Sequence, residues 1–288
     1  MKLFERILFP LDFSDRCSQT SCWVGEIARS LGSELTLLHV FEAYDSLELG
    51  VGSQCHEEDV FKSLFEARRR RLRNFGKDCF EGVTVSRLVS CGNAAECIVK
   101  CAKNQGIQLI VMPTHGEGSF RRLLAGSVTL KVLHDADCAV WTTAHADALA
   151  MRPPLQIRKI LCAVDLSSES SPVLSTAVKL GSIYGASLHL VHTIPVAEET
   201  LRRESEGRLN SLAENAAREF AAQGGNNRLS FETSVGVGPI ADIVRDRAAQ
   251  LPADLVITGH GRSRKHFGEF WSHLGSIIHE SPCSVLSI

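Results

Sequence analysis

Ile7-Leu8-Phe9-Pro10-Leu11-Asp12-Phe13-Ser14 returns later in the chain as Ile160-Leu161-Cys162-Ala163-Val164-Asp165-Leu166-Ser167. Each copy is a short apolar run that closes on Asp-x-Ser, the pattern of a buried strand running into a capped helix. A Leu-(Leu/Val)-His triplet follows at the same interval in both, with 27 residues from Asp12 to His39 and from Asp165 to His192. Further matches keep the same order. Gly92-Asn93-Ala94-Ala95-Glu96 pairs with Gly238-Pro239-Ile240-Ala241-Asp242, His115-Gly116 with His260-Gly261, and Cys138-Ala139-Val140 with Cys283-Ser284-Val285. Self-similarity on this scale means two copies of one domain, which we place at residues 1–146 and 155–288.

Within each copy, short apolar runs alternate with longer amphipathic ones. Ile7–Leu11, Glu34–Val40, Val83–Val89, Leu109–Met112 and Ala139–Trp141 read as strands, and Arg16–Leu31, Asp59–Phe75, Ala94–Asn104 and Ser127–His134 as helices. The second copy predicts strands at Lys159–Val164, Ser187–His192, Leu229–Val235, Leu255–Thr258 and Ser284–Ile288. Its helices fall at Pro172–Tyr184, Glu199–Ala222, Ile240–Gln250 and before His279. Strand and helix in alternation imply an α/β fold, two tandem open parallel sheets of Rossmann-like type covered on both faces. Thr143–Gln156, with Pro153-Pro154, reads as the linker. Such sheets bind ligands beyond the carboxyl ends of their strands, where strand order reverses. Asp12, His39, Gly92 and Pro113–Gly116 all fall at or just past strand ends.

The 288 residues are enough for each half to bury its own core. A formal net charge of -2 with 22% charged residues gives no general drive toward nucleic acid or an anionic membrane. No apolar run is long enough to span a bilayer, and the apolar start Leu3–Leu11 is short and carries Glu5 and Arg6. The ten cysteines occur singly within apolar stretches, without a Cys-x-x-Cys pair or a secretory leader. We therefore expect a cytoplasmic protein in which Cys is a small core residue.

The most informative local feature is Met112-Pro113-Thr114-His115-Gly116, nine residues, then Gly126-Ser127-Val128-Thr129. A glycine loop leaving a strand lets backbone N–H groups approach an anion, and Gly-Ser at a helix start adds free donors and the positive dipole end. This is the chemistry of a phosphate cradle. The order of strand, Asp-Phe-Ser, helix and late glycine loop resembles the universal stress protein family, specifically its nucleotide-binding branch of adenine nucleotide alpha hydrolase-like domains. That branch has a loop of the form Gly-x-x-Gly, nine residues, Gly-(Ser/Thr). The resemblance covers essentially the whole chain as a tandem of two domains. It implies adenine and ribose contacts at Pro10, Leu11 and Asp12, a base pocket lined by Val40, and phosphates on Met112, Thr114, His115, Gly116, Gly126, Ser127, Val128 and Thr129. Pro113 departs from the family, which has its first glycine there, and removes one N–H.

The second copy breaks the pattern. Gly116 to Cys138 and Gly261 to Cys283 are both 22 residues, so no insertion separates the copies and Gly126 corresponds to Trp271. Gly275-Ser276 only mimics the cradle one helical turn downstream, and Thr258 replaces the first family glycine. An indole at 271 is expected to fill the cradle, leaving the second site empty or degenerate. The run Arg262, Arg264, Lys265 and His266 offers a purely electrostatic hold on an anion.

Several of these residues also have structural readings. Asp12 and Asp165 can cap the following helices. His39 and His192 suit satisfied structural histidines. His115, His134, Asp135 and Asp137 match no metal-site spacing, so no protein-ligated metal is expected; Mg²⁺ would arrive on nucleotide phosphates. Arg68–Arg71 reads as a solvated helix face, whereas Arg121 and Arg122 lie inside the nine-residue loop. Cys97 and Cys101, a turn apart, are expected to pack inward. The resulting expectation is a regulatory protein that binds ATP or a related adenine nucleotide, with Mg²⁺ if phosphates carry it, in the first domain. The alternatives are a slow ATP hydrolase or adenylate-transferring enzyme, and a structural or interaction protein with both sites lost. No catalytic residue is assigned. The resemblance further implies that the final strands pair across an approximate two-fold axis as a pseudo-dimer, with a homodimer of two chains as a further expectation.

Overall fold

The computed structural model of the chain describes residues 3–42, 57–113, 126–143, 156–167, 170–225, 229–260 and 267–288. Its strands are β1 (Arg6–Leu11), β2 (Glu34–Phe41), β3 (Val85–Cys91), β4 (Leu109–Pro113) and β5 (Ala139–Thr143), then β6 (Lys159–Ala163), β7 (Ser187–Ile194), β8 (Phe231–Val237), β9 (Leu255–Thr258) and β10 (Ser284–Ser287). The helices are α1 (Asp15–Leu31), α2 (Glu57–Asn74), α3 (Ala94–Gln105), α4 (Ser127–Asp135), α5 (Ser170–Tyr184), α6 (Glu199–Ala222), α7 (Ile240–Gln250) and α8 (Phe267–Glu280). The expected order of elements is present in both halves. The edge strands β3 and β8 start later than their apolar runs. Before β3, the Val83 N–H is held in a turn by Phe80 O at 3.1 Å.

All ten strands join one sheet in the order β3-β2-β1-β4-β5-β10-β9-β6-β7-β8. Neighbours within each half are parallel, and the halves meet where β5 and β10 run antiparallel, with Val285 opposite Thr142 and Ser287 opposite Val140. Hydroxyls stitch this seam: Thr142 Oγ1 donates to Val285 O and Ser287 Oγ to Val140 O, each at 3.2 Å. The pairing makes an intramolecular pseudo-dimer and removes the two edges that β5 and β10 would otherwise expose.

Central strands are apolar along their whole length because both faces are covered. Ile7, Phe9 and Leu11 enter one core with α1, α2, α5 and α6, whereas Leu8 enters the other with α3, α4, α7 and α8. Trp141 of β5 is fully buried in the first core, edge-on to Trp23 of α1 at 5.3 Å. Among the described residues no helix is long and apolar enough to cross a membrane.

One expectation about cysteine is overturned. Cys162 and Cys17 are buried in the core and Cys97, Cys101, Cys138 and Cys283 are half-buried, but Cys22 of α1 and Cys79 form a disulfide across 57 residues. Cys79 lies in a 3₁₀ turn, Asp78–Phe80, that packs directly on α1. Gly25 makes this approach possible, since a Cβ there would sit 2.1 Å from Cys79 O. Arg29 Nη1 then donates to Cys79 O and Glu81 O, both at 3.0 Å. The two thiols are thus brought together by a close helix–turn contact rather than by any local spacing.

Candidate functional site

In each half the strand order reverses between the first and fourth strands, β1 with β4 and β6 with β9. The crevice beyond their carboxyl ends is where an open α/β sheet takes ligands. Asp12 follows β1 there, exposed, with Oδ1 accepting the Ser14 N–H at 2.9 Å. Partial burial raises its pKa, but the hydrogen bonds from Ser14 outweigh that and hold the carboxyl below its ordinary value. Asp165 repeats the arrangement, taking the Ser167 N–H at 2.9 Å and the Ser170 hydroxyl at 2.7 Å. Its pKa is likewise depressed, with the Ser167 and Ser170 bonds overcoming the upward pull of burial. Both aspartates are therefore anionic at neutral pH and brace the turns that precede α1 and α5, whereas the N-cap of α1 is Ser14, whose Oγ accepts the Cys17 N–H at 3.3 Å.

The residue after each aspartate is left-handed, Phe13 with φ 63° and Leu166 with φ 61°. A non-glycine residue in that region costs roughly 1 kcal/mol, so the turn must be held from outside. In the first half Phe13 packs against His39, ring centroids 4.3 Å apart, and the Arg71 guanidinium lies 4.3 Å over its ring. In the second half Arg208 Nη2 donates to Leu166 O at 2.9 Å. The histidines latch the same turns: His39 Nδ1 meets Leu11 O and His192 Nδ1 meets Val164 O, each at 2.9 Å. Desolvation, helped by Arg68 and Arg71 and opposed by the Leu11 bond, depresses the His39 pKa. Arg71 is thus more than part of a solvated face, although it remains exposed.

The remaining predicted residues divide. Pro10 and Leu11 are buried and the Leu11 carbonyl is occupied by His39, while Met112 packs into the second core and Val40 lies half-buried against it. Thr129 is buried and its hydroxyl donates to Pro113 O at 3.2 Å, tying the first turn of α4 to the end of β4. Gly126 is the N-cap of α4, with φ -53° and ψ 145°, and contributes no side-chain cap. The first-turn N–H groups have no intrahelical partner, and so at Ser127 and Val128 the positive end of α4 is directed past β4. Thr114, His115 and Gly116 lie outside the described residues, as do Arg121 and Arg122. His134 bonds its neighbour Asp135 at 2.6 Å on the surface, and no cluster able to hold a metal occurs among the described residues.

The second half differs at one place. The counterpart of Ser127 is Ser272, which lies within α8 (Phe267–Glu280) rather than at a helix start. Position 271 and Gly275-Ser276 are then interior to a helix, so the cradle geometry is not reproduced. The Trp271 side chain and the run 262–266 lie outside the described residues. A cavity of about 420 Å³ opens beside this helix, reached by Asp165, Thr193, Thr258, His260 and His273. Sequence reasoning missed it. The signal was available, since Thr193, Thr258 and His273 are the counterparts of Val40, Pro113 and Val128.

The model of the universal stress protein family matches residues 3–143 and again residues 156–288. The chain belongs to the universal stress protein family. A universal stress protein of Methanocaldococcus jannaschii is 28% identical over 144 residues, 46% of this chain and 89% of that protein. One from Thermus aquaticus is 30% identical over 139 residues, 48% of this chain and 97% of that protein. These relatives correspond in size to one half of this tandem universal stress protein. A crystal structure of a universal stress protein from Archaeoglobus fulgidus superposes along both halves, with a TM-score of 0.71 at 19% identity, covering 98% of this chain and 95% of that one. A structure from Pseudomonas aeruginosa does so with a TM-score of 0.61, also at 19% identity, covering 100% and 94%. At that identity they speak to the fold alone.

Proposed function

We propose that the first domain of this tandem universal stress protein binds ATP or a related adenine nucleotide and that the chain works as a stress-response regulatory module in the cytoplasm. The observations that carry the reading are the anionic Asp12 turn at the carboxyl end of β1 and the Gly126-led N-terminus of α4, which Thr129 ties to the end of the adjacent β4. An acidic residue in such a crevice accepts bonds from ribose hydroxyls, and a helix start without a side-chain cap receives phosphate. Pro10, Leu11, Asp12 and Val40 would hold base and ribose. Met112, Thr114, His115, Gly116, Gly126, Ser127, Val128 and Thr129 would hold the phosphates, together with any Mg²⁺ they carry. Since the Thr129 hydroxyl is engaged by Pro113 O, its part falls to its N–H group. Homodimerisation through further surfaces belongs to the same proposal.

Thermal unfolding with and without Mg-ATP tests the reading. Ligand at 100 times its dissociation constant stabilises the bound domain by about 2.7 kcal/mol, which a melting curve resolves. No shift at millimolar Mg-ATP would refute it. Product release followed over many minutes in the same samples separates a binding module from a hydrolase.

A further inference from the structure

The Cys22–Cys79 disulfide belongs to the first copy alone: Ser175 stands at the counterpart of Cys22, and no cysteine lies between Cys162 and Cys283. The elements it joins are those that hold the left-handed Phe13. α1 begins at the Ser14 cap, directly after Phe13, and carries Cys22. From Cys79 a hydrogen-bonded turn, closed by Cys79 N–H on Gly76 O at 3.0 Å, leads back to Phe75 and the end of α2. Phe75 lies edge-on to Phe13 with ring centroids 5.9 Å apart, and Arg71, one helical turn earlier, supplies the guanidinium over the same ring. The bond thus ties α1 to the segment that presents two of the groups bracing the Asp12 turn. In the second copy Arg208 of α6 braces Leu166 without a covalent tie.

We propose that Cys22–Cys79 is a thiol–disulfide exchange site for dithiol reductants, entered at Cys22, and that its state controls the order of the Asp12 turn in the first domain only. A disulfide in a reducing compartment, as proposed above for this chain, is as a rule redox-sensing or catalytic. Cys22 is exposed, whereas Cys79 is half-buried with its Sγ 3.4 Å from Ser21 Oγ. A reductant thiolate attacks the Cys22 sulfur and Cys79 leaves as a thiolate, toward which Ser21 can turn the O–H it now gives to Ser18 O. The reductant's second thiol then attacks its own mixed disulfide and frees Cys22, so two protein thiols and one reductant disulfide result. The freed sulfurs separate from bonding distance to nonbonded contact, roughly 3.5–4 Å. With the Cα atoms 4.3 Å apart and Cys79 O already packed on Gly25, the turn moves off α1 and draws Phe75 and Arg71 from Phe13. Weaker nucleotide binding on reduction follows, and that consequence rests on the proposed function of the first domain.

Hydrogen exchange of the full chain, disulfide-bonded and after native reduction with dithiothreitol, tests this without ligand. The Ser14 N–H on Asp12 Oδ1 and the Ser167 N–H on Asp165 Oδ1 are the same bond in the two copies, both at 2.9 Å. Exchange at Ser14 is expected to quicken about tenfold on reduction, the scale of losing an aromatic and a cation–π contact, and to slow again with oxidised glutathione. Ser167 should not change. A Cys22→Ser/Cys79→Ser variant should exchange at the reduced rate with or without dithiothreitol; the wild-type chain, read in both states, decides the matter if that variant does not fold. Reduced glutathione on the folded chain, quenched with iodoacetamide, should leave glutathione on Cys22 and the alkyl group on Cys79. Calorimetry should show Mg-ATP held several-fold more weakly by the reduced chain. A bond that resists millimolar dithiothreitol, glutathione on Cys79, unchanged exchange at Ser14 or an equal change at Ser167 each overturns the inference. Equal Mg-ATP affinity in both states removes its link to the ligand, whereas Mg-ATP bound in neither state contradicts the nucleotide reading alone, and exchange at Ser14 still decides this one.

Discussion

Gly25→Ala sets two effects of opposite sign against each other. Gly25 lies inside α1, where replacing glycine by alanine normally favours the helix by about 0.8–1 kcal/mol. The new Cβ would stand 2.1 Å from Cys79 O and 3.3 Å from a Phe80 ring carbon. Backbone on a disulfide-held turn cannot step aside cheaply, because Cys79 is bonded to Cys22 and its carbonyl accepts from Arg29. Overfilling a packed contact costs about 1–3 kcal/mol, and prising the turn away would strip charge-assisted bonds each worth about 1.5–3 kcal/mol. Steric cost therefore exceeds propensity, and the variant is expected to lose roughly 1–3 kcal/mol. Gly207→Ala is the matched control. Gly207 lies in α6 with no atom within 4 Å of its would-be Cβ, so there only propensity acts and a gain of about 0.5–1 kcal/mol is expected. Urea unfolding of both variants at unchanged slope reads the difference as a shift in midpoint. If Gly25→Ala stabilises as Gly207→Ala does, the packing of the Cys79 turn on α1 is wrong.

Other consequences are as direct. Alkylation of the unfolded, non-reduced chain should leave Cys22 and Cys79 unmodified, and Cys79→Ser should weaken the first domain by up to about 4 kcal/mol, the chain-entropy value for a closure of this length; labelling of all ten cysteines would disprove the bond. Because folding depresses the His39 pKa below its ordinary 6.5, the unfolded chain takes up a proton that the folded chain refuses as pH falls through that value. Its contribution to stability is thus complete above about pH 6.5 and is lost progressively below it. A His39→Gln variant should show a shallower acid slope in denaturant titrations, and an unchanged slope would remove His39 from the account.

Much of this architecture was legible because it is written in periodic or repeated form. The apolar runs at Ile7–Leu11 and Ile160–Val164 are strands buried on both faces, and the paired histidines fall where equal spacing put them, latching Leu11 O and Val164 O. The seam between Val140–Thr142 and Val285–Ser287 was implied by the family resemblance, while the short apolar runs that end each copy marked only the strands themselves. What escaped depended on contacts between distant segments. Cys22 and Cys79 are separated by 57 residues, and the second lies in a 3₁₀ turn with no periodicity of its own. The left-handed Phe13 and Leu166 carry no sequence signature, since neither residue type favours positive φ. In the candidate site, Gly126-Ser127 marked the start of α4, but no cap in the sequence fixed where α8 begins. Because α8 already covers Phe267, the counterpart of the cradle is helix interior, with a side-chain-lined cavity beside it.

The two copies share a fold, and the proposed nucleotide sits on Gly126 of the first. Native mass spectrometry of the purified chain and of Gly126→Trp, which writes the second copy's residue into the first, tests this most directly. One adenine nucleotide is expected on each wild-type chain and none on a folded Gly126→Trp variant. A variant that keeps its nucleotide would contradict it.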